Sequence, residues 1–135
     1  MTQTDQAGTN PGQAARPSIT LGDIVLDTDD PPRLAEFYSA LLGWPIARRE
    51  DDWWSIRAET GPQMSFQLAL DYRPPSWPDN DVPQQFHLDL DVPELSSAVA
   101  YAQSLGATLA DNSRSTETFV VLLDPSGHPF CLCSG

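Results

Sequence analysis

The chain has 135 residues, of which 40% are hydrophobic, and its 19 acidic against 7 basic side chains give a net charge of −12. That length suits one domain with a real core, and the charge would repel phosphate backbones, which argues against nucleic acid as a partner. No apolar run approaches the roughly 20 residues of a membrane span. No signal-peptide pattern opens the chain, and Cys131 and Cys133 sit too close along one strand to bridge readily, so a reduced, cytoplasmic setting is expected.

Residues 1–17 carry almost no large apolar side chains and are expected to form a disordered tail ahead of a domain spanning 18–135. Leu21 to Thr28 alternates as a strand, with Leu21, Asp23, Val25 and Asp27 on one face and Ile24 and Leu26 on the other. Asp29-Asp30-Pro31-Pro32 reads as an acidic helix cap followed by prolines in the first turn. Leu34, Phe37, Tyr38, Leu41 and Leu42 then recur at helical spacing until Gly43 stops the helix. Short strands are predicted near Ile46 to Arg49, Trp53 to Ala58 and Met64 to Leu70, closing a first module over 18–70. The connection over 71–85 holds four prolines and is expected to be semi-extended rather than loose. A second module, 86–135, restarts at Phe86 with a strand to Val92 and a helix from about Pro93 to Leu105. Strands near Thr108, Thr118 to Leu123 and Pro129 to Cys133 complete it, with a tight turn at Asp124-Pro125-Ser126-Gly127.

The two modules are copies. Asp23-Ile24-Val25-Leu26-Asp27 lies over His87-Leu88-Asp89-Leu90-Asp91, and Leu42-Gly43 over Leu105-Gly106. Ser65-Phe66-Gln67-Leu68 lies over Pro129-Phe130-Cys131-Leu132. Each copy is β-α-β-β-β, so the predicted fold is α+β, two tandem modules forming a cupped, mostly antiparallel sheet with helices on one face.

Alternation along the strands sorts the side chains. Ile24, Leu26, Phe66 and Leu68, with Leu88, Leu90, Phe130 and Leu132, must face the helices. Asp23, Gln67, His87, Asp89 and Cys131 then project from the helix-free side. If those sides face each other, Asp23, Gln67, His87 and Cys131 converge on one concave pocket. Trp53 and Trp54 are adjacent on a strand, so one of them points into that pocket and the other toward the helices. Aromatic walls with a few convergent polar groups suit a small-molecule ligand, and in so acidic a protein a cationic or neutral aromatic guest is expected over an anion.

The module order, the stretch Leu34-Ala-Glu-Phe-Tyr-Ser-Ala-Leu-Leu-Gly43 and the ending Asp124-Pro-Ser-Gly-His-Pro-Phe-Cys-Leu132 resemble the vicinal-oxygen-chelate superfamily over about residues 19–133. That superfamily includes glyoxalase I, extradiol dioxygenases and the fosfomycin- and bleomycin-resistance proteins. The resemblance implies a divalent metal, in members that use one, held at the positions of Asp23, Gln67, His87 and Cys131. Only His87 is a usual ligand there; Gln67 is a weak neutral donor and Cys131 puts a soft thiolate in place of a carboxylate.

Two functional classes therefore stand open. One is a metal-free protein that binds or sequesters a small molecule. The other is a metal-dependent lyase, isomerase or dioxygenase, for which Asp23, His87 and Cys131 are the catalytic candidates. Each has a plainer reading: His87 hydrogen-bonded to Asp89 or Asp23, Cys131 a small buried filler, Asp23 an exposed carboxylate. Trp44 and Trp77 read equally as packing, Trp77 as a clamp on the connection. His128 is expected at the surface, and no Gly-x-Ser-x-Gly surrounds Ser126, which excludes a serine-hydrolase site. A homodimer is expected, since open sheet edges invite a partner.

Overall fold

The computed structural model describes residues 16–18, 20–77, 79–84, 87–110 and 117–134. The tail expected over 1–17 lies outside these residues except for its last two, and so do Gln85 and Phe86. The chain forms β1 (Asp23–Thr28), α1 (Pro31–Leu42), β2 (Ile46–Glu50), β3 (Trp53–Ile56) and β4 (Gln63–Leu68). The same order repeats as β5 (Leu88–Asp91), α2 (Leu95–Ser104), β6 (Thr108–Leu109), β7 (Phe119–Leu123) and β8 (Pro129–Cys133). The sheet is in two halves of four strands, ordered β1-β4-β3-β2 and β5-β8-β7-β6. In each half the first strand pairs parallel with the last, and the other two pairings are antiparallel.

Local chemistry sets the helix ends. The Asp30 side chain accepts from the Arg33 backbone N–H at 3.2 Å, and Pro31 and Pro32 fill the first-turn positions whose N–H groups have no helical partner anyway. Gly43 takes φ +73°, the left-handed conformation that ends α1, and its N–H bonds the Ser39 carbonyl at 2.9 Å. Glu94 caps α2 by accepting from the backbone N–H groups of Ser96 and Ser97 at 2.9 and 3.0 Å. That cap starts the helix at Leu95 rather than at Pro93.

Both modules contribute to one core. Leu26, Leu34, Phe37, Tyr38 and Phe66 come from the first, and Ala102, Leu122, Phe130 and Leu132 from the second. Tyr38 stacks on Phe66 with ring centres 5.7 Å apart, and Phe37 meets Phe130 edge-on at 5.9 Å. Full burial of such a side chain is worth about 1.5–3 kcal/mol, so this aromatic cluster is a main contributor to joining the modules. Tyr101 on α2 adds a hydrogen bond to the Ala40 carbonyl on α1. The helix-facing sides of both half-sheets thus meet each other across the core. Val25, Asp27 and Gln67 on one helix-free face and His87 and Asp89 on the other are exposed, and among the described residues neither β1 nor β5 pairs with a strand of the other module.

Candidate functional site

Register on the first half-sheet decides what its helix-free face carries. Trp53 lies opposite Gln67 and Ser55 opposite Ser65, while Trp54 lies opposite Phe66 on the helix side, where it packs against the core. Trp53 is therefore the tryptophan of the open face. Its indole N–H donates to Ser55 Oγ at 3.1 Å, and the Ser55 and Ser65 hydroxyls bond each other at 2.7 Å. Ser65 donates to Asp23 Oδ2 at 2.8 Å, and Gln63 Nε2 donates to the same oxygen at 2.9 Å. One chain of hydrogen bonds thus crosses the sheet from Trp53 to Asp23. Ser55 and Ser65 are buried beneath it. The other carboxylate oxygen, Asp23 Oδ1, is also buried and has no partner among the described residues. Arg48 lies 5.6 Å from the centre of the Trp53 ring and is held there by a two-pronged ion pair with Glu50.

The second half-sheet carries a different set. His87 Nε2 is 3.2 Å from Asp89 Oδ1, and ligand atoms of His87, Asp89 and Cys131 all lie within 4.8 Å of one another. Asp89 and Cys131 face each other across the β5–β8 ladder. Burial, the neighbouring Asp89 carboxylate and Cys133 push the Cys131 thiol up to about 11, so it is protonated at neutral pH and is a poor nucleophile.

Within one chain the helix sides of the modules share the core, and the cluster of His87, Asp89 and Cys131 forms apart from Asp23. The repeat also aligns differently at its ends. Val25 pairs with Ser65 as Asp89 pairs with Cys131, so Ser65 rather than Gln67 occupies the place of Cys131. Gln67 is exposed, two residues further on, beside Trp53. The last two strands of the second module are offset by 66 residues (Cys131 minus Ser65, Val121 minus Ser55), whereas its first strand is offset by 64 (His87 minus Asp23). Strand pairing, not local sequence similarity, sets this register.

A further network joins the modules at the turn between β7 and β8. Tyr38 donates to Asp124 Oδ2 at 2.7 Å, and the backbone N–H groups of Ser126 and His128 donate to Asp124 Oδ1 at 2.9 and 3.0 Å. Burial raises the Asp124 pKa, against the lowering effects of His128 and of these hydrogen bonds. Tyr72, from the connection, donates to the Ser126 carbonyl at 2.7 Å. His128 is part of this latch rather than a free surface group. Its Nε2 lies 2.6 Å from the Asp27 carbonyl, which can only accept, so that nitrogen carries the proton. Asp124, Tyr72 and His128 were visible in the sequence only as turn and loop residues. Their partners are 54 to 101 positions away, beyond the reach of any local pattern.

The metal positions implied by the resemblance can be tested against these donors. Ser65 offers a buried hydroxyl already bonded to Asp23 and Ser55, and the Cys131 thiol holds its proton. Asp23, Ser65, His87 and Cys131 therefore do not fit a four-ligand divalent shell. His87, Asp89 and Cys131 do offer nitrogen, oxygen and sulfur of kinds that zinc accepts.

No helix among the described residues is long and apolar enough to cross a membrane. Comparison with curated proteins finds no significant sequence match. Solved structures do match. A glyoxalase/bleomycin resistance protein/dioxygenase family enzyme from Burkholderia phytofirmans PsJN superposes with a TM-score of 0.66 at 18% identity, covering 86% of this chain and 98% of that one. A glyoxalase-related enzyme from Fulvimarina pelagi gives 0.64 at 17% identity, covering 86% and 88%. A possible glyoxalase from Bacillus cereus gives 0.59 at 14% identity, covering 86% and 99%. At such identities these matches establish the fold alone. The family model for the glyoxalase-like domain matches residues 23–133, and with the paired β-α-β-β-β modules this places the chain in the glyoxalase-like domain family of the vicinal-oxygen-chelate superfamily.

Proposed function

We propose that this protein binds a small molecule without a metal, in a site completed when two copies pair. The first-module face of one copy would lie against the second-module face of the other. The observation that carries this reading is the separation of the two polar sets onto outward faces of one chain, beside the unpaired edges of β1 and β5. Pairing across a two-fold axis would set Asp23 and Trp53 opposite His87, Asp89 and Cys131 in two equivalent sites. Asp23 Oδ1, buried and without a partner among the described residues, calls for a hydrogen-bond donor from the ligand. With Asp89 across the site and a net charge of −12 around it, a cationic or neutral aromatic guest is favoured over an anion.

The test is complementation. Binding of matched cationic and anionic aromatic compounds is followed by tryptophan fluorescence, with size measured by sedimentation. Asp23→Asn and His87→Ala should each abolish the cation binding that changes Trp53 fluorescence. Unfolded together and refolded, they should regain about a quarter of the sites, because half the dimers are mixed and each mixed dimer holds one intact site. A monomer, or no recovery on mixing, refutes the shared site.

The second reading, a metal-dependent enzyme, is favoured by the His87, Asp89 and Cys131 cluster. Metal analysis of protein purified without chelator or affinity nickel separates the two. One tightly held divalent ion per chain, lost in His87→Ala, would establish the metal site.

A further inference from the structure

The connection between the modules borders a cavity of about 610 Å³ further along the face of β1 that also carries Asp23. The far end of β1 supplies Val25 and Asp27, and the connection supplies Leu70, Tyr72, Val82 and Gln84. Its walls are fastened before any ligand arrives. Tyr72 is tied to the Ser126 carbonyl, and Ser76 closes a loop on Val82, its N–H donating to the Val82 carbonyl at 2.7 Å and its hydroxyl accepting from the Val82 N–H at 2.9 Å. Pro74 packs so tightly over Gly127 that a Cβ there would sit 2.6 Å from the proline Cβ. A cavity of this size with fixed walls has the dimensions of a small-molecule site.

Two of its polar groups are already committed to the protein. His128 Nε2 is engaged with the Asp27 carbonyl, and the Tyr72 hydroxyl with Ser126. Gln84 Oε1 is buried with no partner among the described residues. A buried acceptor left unmet costs about 1–3 kcal/mol, so a donor arriving with a ligand would recover that loss. The charged lining, Asp27 and Asp71 against Arg73, is net acidic. The apolar lining comes from Val25, Leu70, Pro75, Val82 and Pro83.

We propose that this cavity is a second ligand site, for a primary amine on an apolar or aromatic body. The ammonium donates to Gln84 Oε1 and is drawn in by Asp27 and Asp71, while the body packs against Val82 and the prolines. This site lies on the same face of β1 as Asp23, but its walls come from the connection and not from a second copy.

The experiment titrates the full-length protein with 2-phenylethylamine, its neutral analogue 2-phenylethanol and the anion 3-phenylpropionate, following backbone amides by NMR. The amine should bind saturably and best, with shifts gathered at Tyr72, Val82, Gln84 and His128, and Asp23→Asn should leave that binding unchanged. Gln84→Leu should weaken it about tenfold, the value of one hydrogen bond, while leaving the free protein at least as stable because an unmet acceptor has been removed. Val82→Trp, which fills the cavity, should abolish it. Shifts gathered instead at Asp23, Ser55 and Ser65, wild-type affinity in Gln84→Leu, equal affinity for the anion, or no saturable binding would each overturn the proposal.

Discussion

The Tyr38 hydroxyl and the Asp124 carboxylate meet at 2.7 Å in the interior, joining α1 of the first module to the turn before β8 of the second. Their separation of 86 residues makes this bond a measure of how firmly the modules are joined. Tyr38→Phe keeps the ring in its stack on Phe66 and removes one donor from a buried carboxylate. The expected loss is about 1.5–3 kcal/mol by urea unfolding. Asp124→Ala also strands the N–H groups of Ser126 and His128 and should cost more. A loss under half a kilocalorie in Tyr38→Phe would mean that the bond does not form in solution.

Asp124 also makes stability pH-dependent, with a definite sign. Its pKa in the fold is raised above 3.8 by burial, so the folded chain holds this proton more tightly than the unfolded one. The contribution is fully present below pH 3.8 and is lost as pH rises through the folded value. Asp124→Asn cannot titrate. The stability difference between wild type and Asp124→Asn should therefore move against the wild type as pH is raised through the acidic range. A difference that does not change with pH would contradict the burial of a titrating carboxyl.

Gly127 and Gly61 occupy matching turns with φ +88° and +91°, yet a Cβ would meet Pro74 at 2.6 Å in the first and nothing within 4 Å in the second. Gly61→Ala should cost about 1 kcal/mol, from backbone strain alone. Gly127→Ala should cost roughly 1–3 kcal/mol more, since overpacking must displace the connection. Limited proteolysis of the connection should accelerate only in Gly127→Ala. Equal costs would show that Pro74 yields freely.

Cys131 should alkylate slowly. With its thiol pushed up to about 11, its thiolate fraction near neutral pH is about a hundredfold below that of a free cysteine. Iodoacetamide labelling of the native protein, compared with the urea-unfolded chain and followed by peptide mass, should show this. Asp89→Asn removes the adjacent negative charge and should speed labelling of Cys131. Labelling as fast in the native protein as in the unfolded chain would place the thiol in a different environment.

Much was legible in the sequence because the determining interactions are local. Asp30 with two prolines, the spacing of Leu34, Phe37 and Tyr38, and Gly43 define α1 within fourteen residues of chain, and β8 spans Pro129 to Cys133 as its apolar run implies. Strand alternation likewise assigned Asp23, Asp89 and Cys131 to the helix-free side, because side chains on a strand have a period of two whatever they pack against. It could narrow the open-face tryptophan to Trp53 or Trp54 but not choose, since that depends on which residue of β4 each one pairs with. The exchange of Ser65 for Gln67 has the same origin: the register between β1 and β4 is set by hydrogen bonding between strands some forty residues apart. The relation of the two polar faces was beyond any local reading. Identical βαβββ modules can meet through their open faces or through their helices, and burying Tyr38, Phe37 and Phe130 together in one core decided for the helices.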